Sequence, residues 1–159
     1  MKLGLKHIAP YLPYDLECEC PSLTEDREVP KVCDMVGAFS DWVAISTKDS
    51  NVHDEFEYDE FKPLLRPLKD LSTEIEHNGK RFVPCIIIAQ GDDDYFTDED
   101  NCLYRYTDCD RYNYERVRFE NIVDINAIEW WIMQDLIKWH FDISQLLESD
   151  LAIEKQAIK

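Results

Sequence analysis

The stretch GDDDYFTDEDNCLYRYTDCDRYNY, residues 91–114, holds eight acids between Asp92 and Asp110 against one base, Arg105, and then alternating tyrosines. Carboxylates at this density can hold a hard divalent cation, imitate phosphates, or simply solvate a hairpin. A helix–loop–helix calcium site needs alternating acids followed by a glycine and a distal glutamate at fixed positions. Counted from Asp92, the third acid falls on Phe96 and the glycine on Thr97, so that motif fails. A looser magnesium or calcium site from Asp92, Asp94, Asp98 and Asp100 is the remaining metal chemistry. The reading adopted is that the chain carries no metal and no cofactor.

Zinc chemistry is no better supported. Cys18 and Cys20, and the Cys102/Cys109 pair, lack the short paired spacing of a zinc site, and His7, His53, His77 and His140 are scattered. No nucleophile elbow, zincin or P-loop motif occurs, and four glycines are few for a phosphate cradle. His140, near Asp142, reads as a histidine at a helix end, favoured there by the helix dipole. The chain is therefore expected not to be an enzyme.

Two binding chemistries remain. Arg105, Arg111, Arg116 and Arg118 interleave with Tyr104, Tyr106, Tyr112 and Tyr114, the residue types of a single-strand stacking platform. Asp108, Asp110 and Glu115 stand among them, however, and 17 bases against 34 acids give a net charge of −17. Such a surface repels nucleic acid and anionic membrane and favours a basic protein partner. The alternative is mimicry of a nucleic acid. A domain of this length is about 40 Å across, and a duplex that long carries about two dozen phosphates. The charge suffices only if the two acidic runs, Asp54, Glu55, Glu57, Asp59 and Glu60 and then Asp92 to Asp100, lie side by side. The expected partner surface is Asp54, Glu55, Glu57, Asp92, Asp94, Asp98, Glu99, Asp100, Tyr104 and Tyr106.

The elements that must position these residues are short. LKHIAPYLPY reads as a helical turn stopped by Pro10 and Pro13. YDLECEC and DWVAIST alternate as strands, with Cys18 and Cys20 on one face, and Val43 and Ile45 on one face. Pro21 and Pro30 bracket a polar loop, and residues 48–60 read as an acidic loop or edge. Pro63 and Pro67 hold 62–67 extended, and a helical turn starts at Leu68. Asn78-Gly79 supplies the positive φ angles of a tight hairpin. VPCIIIAQ is a buried run that periodicity cannot assign. Arms 102–106 and 111–119 read as a hairpin joined across TDCD, with the tyrosines paired across it.

The C-terminal third reads as one long helix from Ile125 to about His140, with an apolar stripe through Ile128, Trp131, Ile132, Leu136 and Trp139 facing the core. Trp130, Ile137 and Phe141 form a second, outer stripe, an interface for a partner or for self-association, unless the chain's own N-terminus covers it. Alternatively the helix breaks near Phe141, with Asp142 capping a new turn that Gln145 supports. The fold class expected is α+β, a small mostly antiparallel sheet with this long C-terminal helix packed on it. The 159 residues read as a single domain with a variable acidic insert at about 91–120.

Forty-five per cent hydrophobic residues, with 4 Trp, 8 Tyr and 7 Phe, is a folding composition. No secretory or membrane-spanning run is present, so the six cysteines read mostly as small buried hydrophobes of a soluble cytoplasmic protein.

LKHIAPYLPY, FKPLLRPLKDL, EIEHNGKRFVP and LIKWHFDISQLLESDLAIE together resemble a family of small Bacteroides phage and prophage proteins that has no assigned activity. The blocks cover about a third of the chain and leave out the acidic middle. The resemblance implies a mobile-element origin and a bacterial host cytoplasm, and it supplies no catalytic residues. Asp15 and Asp150 stand where that family carries glycine, which implies turns with glycine-like backbone angles. The combined expectation is a non-enzymatic protein-binding or accessory protein. The alternative is an acidic nucleic-acid mimic that inhibits a host defence nuclease, and a carboxylate-metal enzyme comes third.

Overall fold

A computed structural model of the chain describes residues 2–20, 31–46, 53–119 and 128–155. The chain divides into two compact units, Met1–Pro67 with Gln134–Lys155, and Leu68–Met133 with Gln156–Lys159. The loop expected between Pro21 and Pro30, and Ile125, lie outside the described residues.

The first unit opens with a helical turn, α1 (Leu5–Ile8), which tightens into a 3-10 helix over Ala9–Tyr14 where Pro10 and Pro13 remove backbone donors. Its sheet is built from β1 (Glu17–Cys20), β2 (Lys31–Ala38), β3 (Trp42–Ser46), β4 (His53–Glu57) and β5 (Lys62–Leu65). With β11 (Ile153–Glu154) these make six strands in the order β11-β5-β1-β2-β3-β4. All pairs are antiparallel except β11 with β5. Cys18 with Cys20, and Val43 with Ile45, share a face as period-two spacing predicts, and both pairs lie in the core. Asp15 (φ 53°) and Asp150 (φ 54°) do adopt left-handed backbone, which a short polar side chain tolerates.

The second unit begins with a 3-10 turn at Leu68–Ser72 and a hairpin of β6 (Ile75–His77) and β7 (Lys80–Phe82). Asn78 (φ 51°) and Gly79 (φ 73°) close that hairpin with the two positive φ angles its tight turn requires. The unassigned apolar run folds as helix α2 (Pro84–Gly91), started by Pro84, whose missing N–H costs nothing at a helix start. A three-stranded sheet follows, β8 (Tyr95–Thr97), β9 (Leu103–Tyr106) and β10 (Tyr114–Arg116), in the order β10-β9-β8. Helix α2 packs on β8 and β9. The Trp131 ring lies so close to Gly91 that a Cβ there would meet it at 3.4 Å.

The expected α+β fold with a long C-terminal helix is not what forms. The described chain is mostly sheet, eleven strands with three short α-helices, and α3 spans only Trp130–Lys138, nine residues. The helix stops because His140 takes a left-handed conformation (φ 61°) and Phe141 then bridges to Arg66 at the end of β5. Backbone bonds from Arg66 N to His140 O (2.8 Å) and from Asp142 N to Arg66 O (2.9 Å) fix that junction. Asp142 does cap the next turn, accepting from Leu146 N at 2.9 Å and Leu147 N at 2.8 Å. Gln145 is itself left-handed (φ 56°) and does not continue a helix.

The Cys18, Cys20, Cys33 and Cys85 thiols are buried, Cys102 is half-buried and Cys109 exposed. Burial pushes the Cys20 and Cys85 thiols up to about 12, away from the reactive thiolate. An aromatic disulfide reagent on the native protein should therefore titrate Cys109 first and Cys102 more slowly. The other four should react only on unfolding; a native count above two would contradict this packing.

Candidate functional site

The 91–120 segment contains the expected hairpin, with Tyr114 opposite Tyr106 and Arg116 opposite Tyr104. Its closing loop runs longer than TDCD, from Thr107 to Asn113, whose N–H and carbonyl bond at 2.9 Å. Asp108 organises that loop, its carboxylate accepting from Tyr112 N, Asn113 N and the Asn113 amide. Strand β8, unforeseen in the sequence, adds Phe96 opposite Tyr104.

Alternation along these strands sorts two faces. Tyr95 and Leu103 are buried, and Tyr95 meets the edge of Trp131 at 5.8 Å. The opposite face gathers four rings. Phe96 stacks on Tyr104 (5.3 Å) and tilts against Tyr106 (4.9 Å), while Tyr114 stands edge-on to Phe96 (5.3 Å) and Tyr104 (5.7 Å). Such pairs contribute about 0.5–1.5 kcal/mol beyond their area, which accounts for the cluster as structure. Tyr114 nonetheless remains 60% exposed.

Arg111 lies 5.6 Å from the centre of the Tyr106 ring, with Asp93 and Asp94 at 3.9 and 4.0 Å. A guanidinium over a tyrosine and flanked by two carboxylates is thus already held on this face by the chain itself. Asp93, 97% exposed, has ample capacity for a further cation. Arg105 pairs with Glu129 instead (3.2 Å) and approaches Tyr95.

The acids divide into two kinds. Asp92 accepts from Asp94 N (2.9 Å), and Asp98 accepts from Asp100 N (3.0 Å), Cys102 N (2.8 Å) and the Tyr104 hydroxyl (3.1 Å). These carboxylates shape turns. Asp94, Glu99 and Asp100 are exposed and make none of those turn-closing acceptances. The Cys102 N–H, with the Tyr104 hydroxyl and Asp100 N–H, holds the Asp98 carboxyl below its ordinary range, while the same contact raises the Tyr104 phenol. With its folded pKa depressed, Asp98 contributes stability above the ordinary carboxylate pKa that is lost as pH falls through the folded value. Asp98→Asn should flatten the decline in stability below about pH 4; an unchanged acid limb in urea titrations would refute the assignment.

Asp54, Glu55 and Glu57 sit on β4, the edge strand of the first unit, and are exposed. Acids on an edge also discourage further strand pairing. Asp59 and Glu60 follow in the turn, where Glu60 accepts from Glu57 N at 2.8 Å. This run and the 92–100 run therefore belong to different units. Among the described residues no three His, Cys, Asp or Glu side chains converge to hold a metal ion, so Asp92, Asp94, Asp98 and Asp100 do not gather around one point.

The outer stripe read from the C-terminal helix is divided as well. Trp130 is 70% exposed, whereas Ile137 and Phe141 are buried. What reaches Phe141 is the chain's own N-terminal segment. The Tyr11 hydroxyl donates to the Phe141 carbonyl at 2.8 Å and accepts from Ile143 N at 3.3 Å. His140 is likewise buried, its Nε2 2.5 Å from the Tyr14 carbonyl, a position suited to structure.

The sequence reading missed Phe96, and it left Asp93 and Arg111, which it named in the acidic run and among the interleaved arginines, out of the expected partner surface. Phe96 stands in a three-residue strand too short to show alternation, and the Arg111 contact depends on a loop closing back on β8. No helix among the described residues is long and apolar enough to cross a membrane. Against protein-family models, curated proteins and solved structures, the chain has no match.

Proposed function

We propose that the chain is a non-enzymatic binding protein of phage or prophage type, acting in a bacterial cytoplasm, whose acidic–aromatic sheet face docks an arginine-containing segment of a partner protein. The observation that carries this reading is Arg111 seated over Tyr106 between Asp93 and Asp94. A partner arginine would use the same two attractions, a ring face and a carboxylate, on Tyr114 and the exposed acids nearby. The net charge of −17 would steer such a segment inward and make its association salt-sensitive. The origin and compartment rest on the resemblance of the terminal and central sequence blocks.

The test is a titration with an arginine-rich peptide and a lysine-rich peptide of equal charge. The arginine peptide should bind more tightly, and Tyr104→Ala with Tyr114→Ala should weaken it about thirtyfold, two contacts at about 1 kcal/mol each. Equal affinity for both peptides, unchanged by loss of the rings, would reduce the effect to bulk charge and end the proposal. Charge reversal should target Asp93, Asp94, Glu99 and Asp100, because Asp92 and Asp98 hold turns.

A nucleic-acid mimic is the second reading, supported by the exposed Asp54, Glu55 and Glu57 of β4. It requires that reversing those three to Lys abolish inhibition of a DNA-cleaving enzyme, whereas the docking reading leaves peptide binding intact in that variant.

A further inference from the structure

The second unit contains a cavity of about 60 Å³ whose lining includes Lys69, Arg116, Arg118, Cys102, Leu103 and Phe119. In a chain with twice as many acids as bases, the described residues that line this cavity include three bases and no acid. Of the six described arginines, Arg81, Arg105 and Arg111 pair with carboxylates, and Arg66 is buried against the Trp139 carbonyl. Arg116 and Arg118 have no ion pair among the described residues. Arg116 instead donates to the Cys102 sulfur at 3.1 Å. Asp98 is close enough to feel Arg116, while its carboxylate accepts from Cys102 N, Asp100 N and the Tyr104 hydroxyl.

We propose that this cavity is a binding site for a phosphate group, free or as a monoester, held by Arg116, Arg118 and Lys69. Size, charge and shape agree. A water needs roughly 10–15 Å³ of such space, so the cavity admits a group of about five heavy atoms. Two guanidinium forks and an ammonium match a dianion with several acceptor oxygens better than a single carboxylate. The Ser72 side of the wall can supply a hydroxyl donor, and Cys85 places the start of α2, the positive end of its dipole, at the floor. Buried Leu71, Leu103 and Phe119 supply the apolar part of the wall. Arg116 stands opposite Tyr104 of the docking face, but the tests of the two proposals use different residues.

Cys102 is a built-in reporter, because it lines the cavity and is half-buried, while exposed Cys109 lies outside it. The rate of iodoacetamide labelling of each is followed by mass spectrometry, with millimolar orthophosphate, with phenyl phosphate, or with chloride at equal ionic strength. Either phosphate should slow Cys102 roughly tenfold when present at ten times its dissociation constant, since only the free form reacts, and should spare Cys109. Arg118→Ala, a change at an exposed side chain, should remove the protection while leaving the unliganded Cys102 rate and the melting temperature as they were. Protection by phenyl phosphate alone would assign the site to monoesters, and protection by orthophosphate as well would assign it to the phosphate group itself. The proposal is overturned if neither phosphate slows Cys102, if chloride does so equally, or if Arg118→Ala keeps full protection.

Discussion

Phe141→Ala is expected to destabilise the protein by about 3–5 kcal/mol, the usual cost of emptying a buried aromatic site. Phe141 is wholly buried, its N–H bonds Leu136 O at 2.9 Å, and its carbonyl accepts the Tyr11 hydroxyl. Set against a typical total of about 5–15 kcal/mol, such a loss removes a large share of the stability. Trp130→Ala, at a 70% exposed position, should change stability by less than about 0.5 kcal/mol. Urea unfolding of the two variants separates a core residue from an interface residue. If Phe141→Ala unfolded at the wild-type midpoint while altering the oligomeric state, its place would be at an interface and not in the first unit's core.

Tyr11→Phe tests the same region more finely, because it removes one oxygen and no carbon. The hydroxyl satisfies two backbone groups at once, the Phe141 carbonyl and the Ile143 N–H, across 130 residues of sequence. The Ile143 N–H also donates to the Phe141 carbonyl at 3.0 Å, so neither group is left wholly unpaired, and the loss is that of the hydroxyl's own two bonds, about 0.5–1.5 kcal/mol each. The variant should lose about 1–3 kcal/mol. Burial pushes the Tyr11 phenol far above its ordinary value, so the hydroxyl remains a donor and the loss should be the same at neutral and mildly alkaline pH. A loss below about 0.5 kcal/mol, or one that vanishes as pH rises, would show that water or a rearranged backbone satisfies those groups.

The resulting picture joins an N-terminal segment, a strand end and the residues after α3 into one buried junction of the first unit. Lys62 with Asp150 (2.7 Å) and Lys155 with Glu17 add ion pairs along the same sheet. The exposed Lys62–Asp150 pair contributes little by itself. The apolar core and the satisfied backbone carry the stability.

Local rules made several elements legible without a structure. Alternation placed Cys18 with Cys20, and Val43 with Ile45, on one face each, because a strand turns successive side chains to opposite faces. Asn78-Gly79 announced its hairpin, and the spaced prolines kept Lys62–Leu65 extended, because those residues restrict φ in themselves. The tyrosine hairpin was readable for the same reason. The charge of −17 was fixed by composition.

Tertiary structure alone decided the rest. Apolar spacing from Ile128 to Leu147 fits a long helix and equally fits a short helix followed by turns, since both return a residue to the core every three or four positions. Which forms depends on whether His140 and Phe141 find better bonds elsewhere, and Arg66 and Tyr11, far away in sequence, supply them. The roles of the acids were equally hidden: Asp92 and Asp98 close turns while Asp93 and Asp94 face a cation, a division set by local folding and not by residue type. Sequence fixes what short-range sterics and composition dictate. Burial, register between distant strands and the convergence of Arg116 and Arg118 on one cavity depend on contacts that no local pattern encodes.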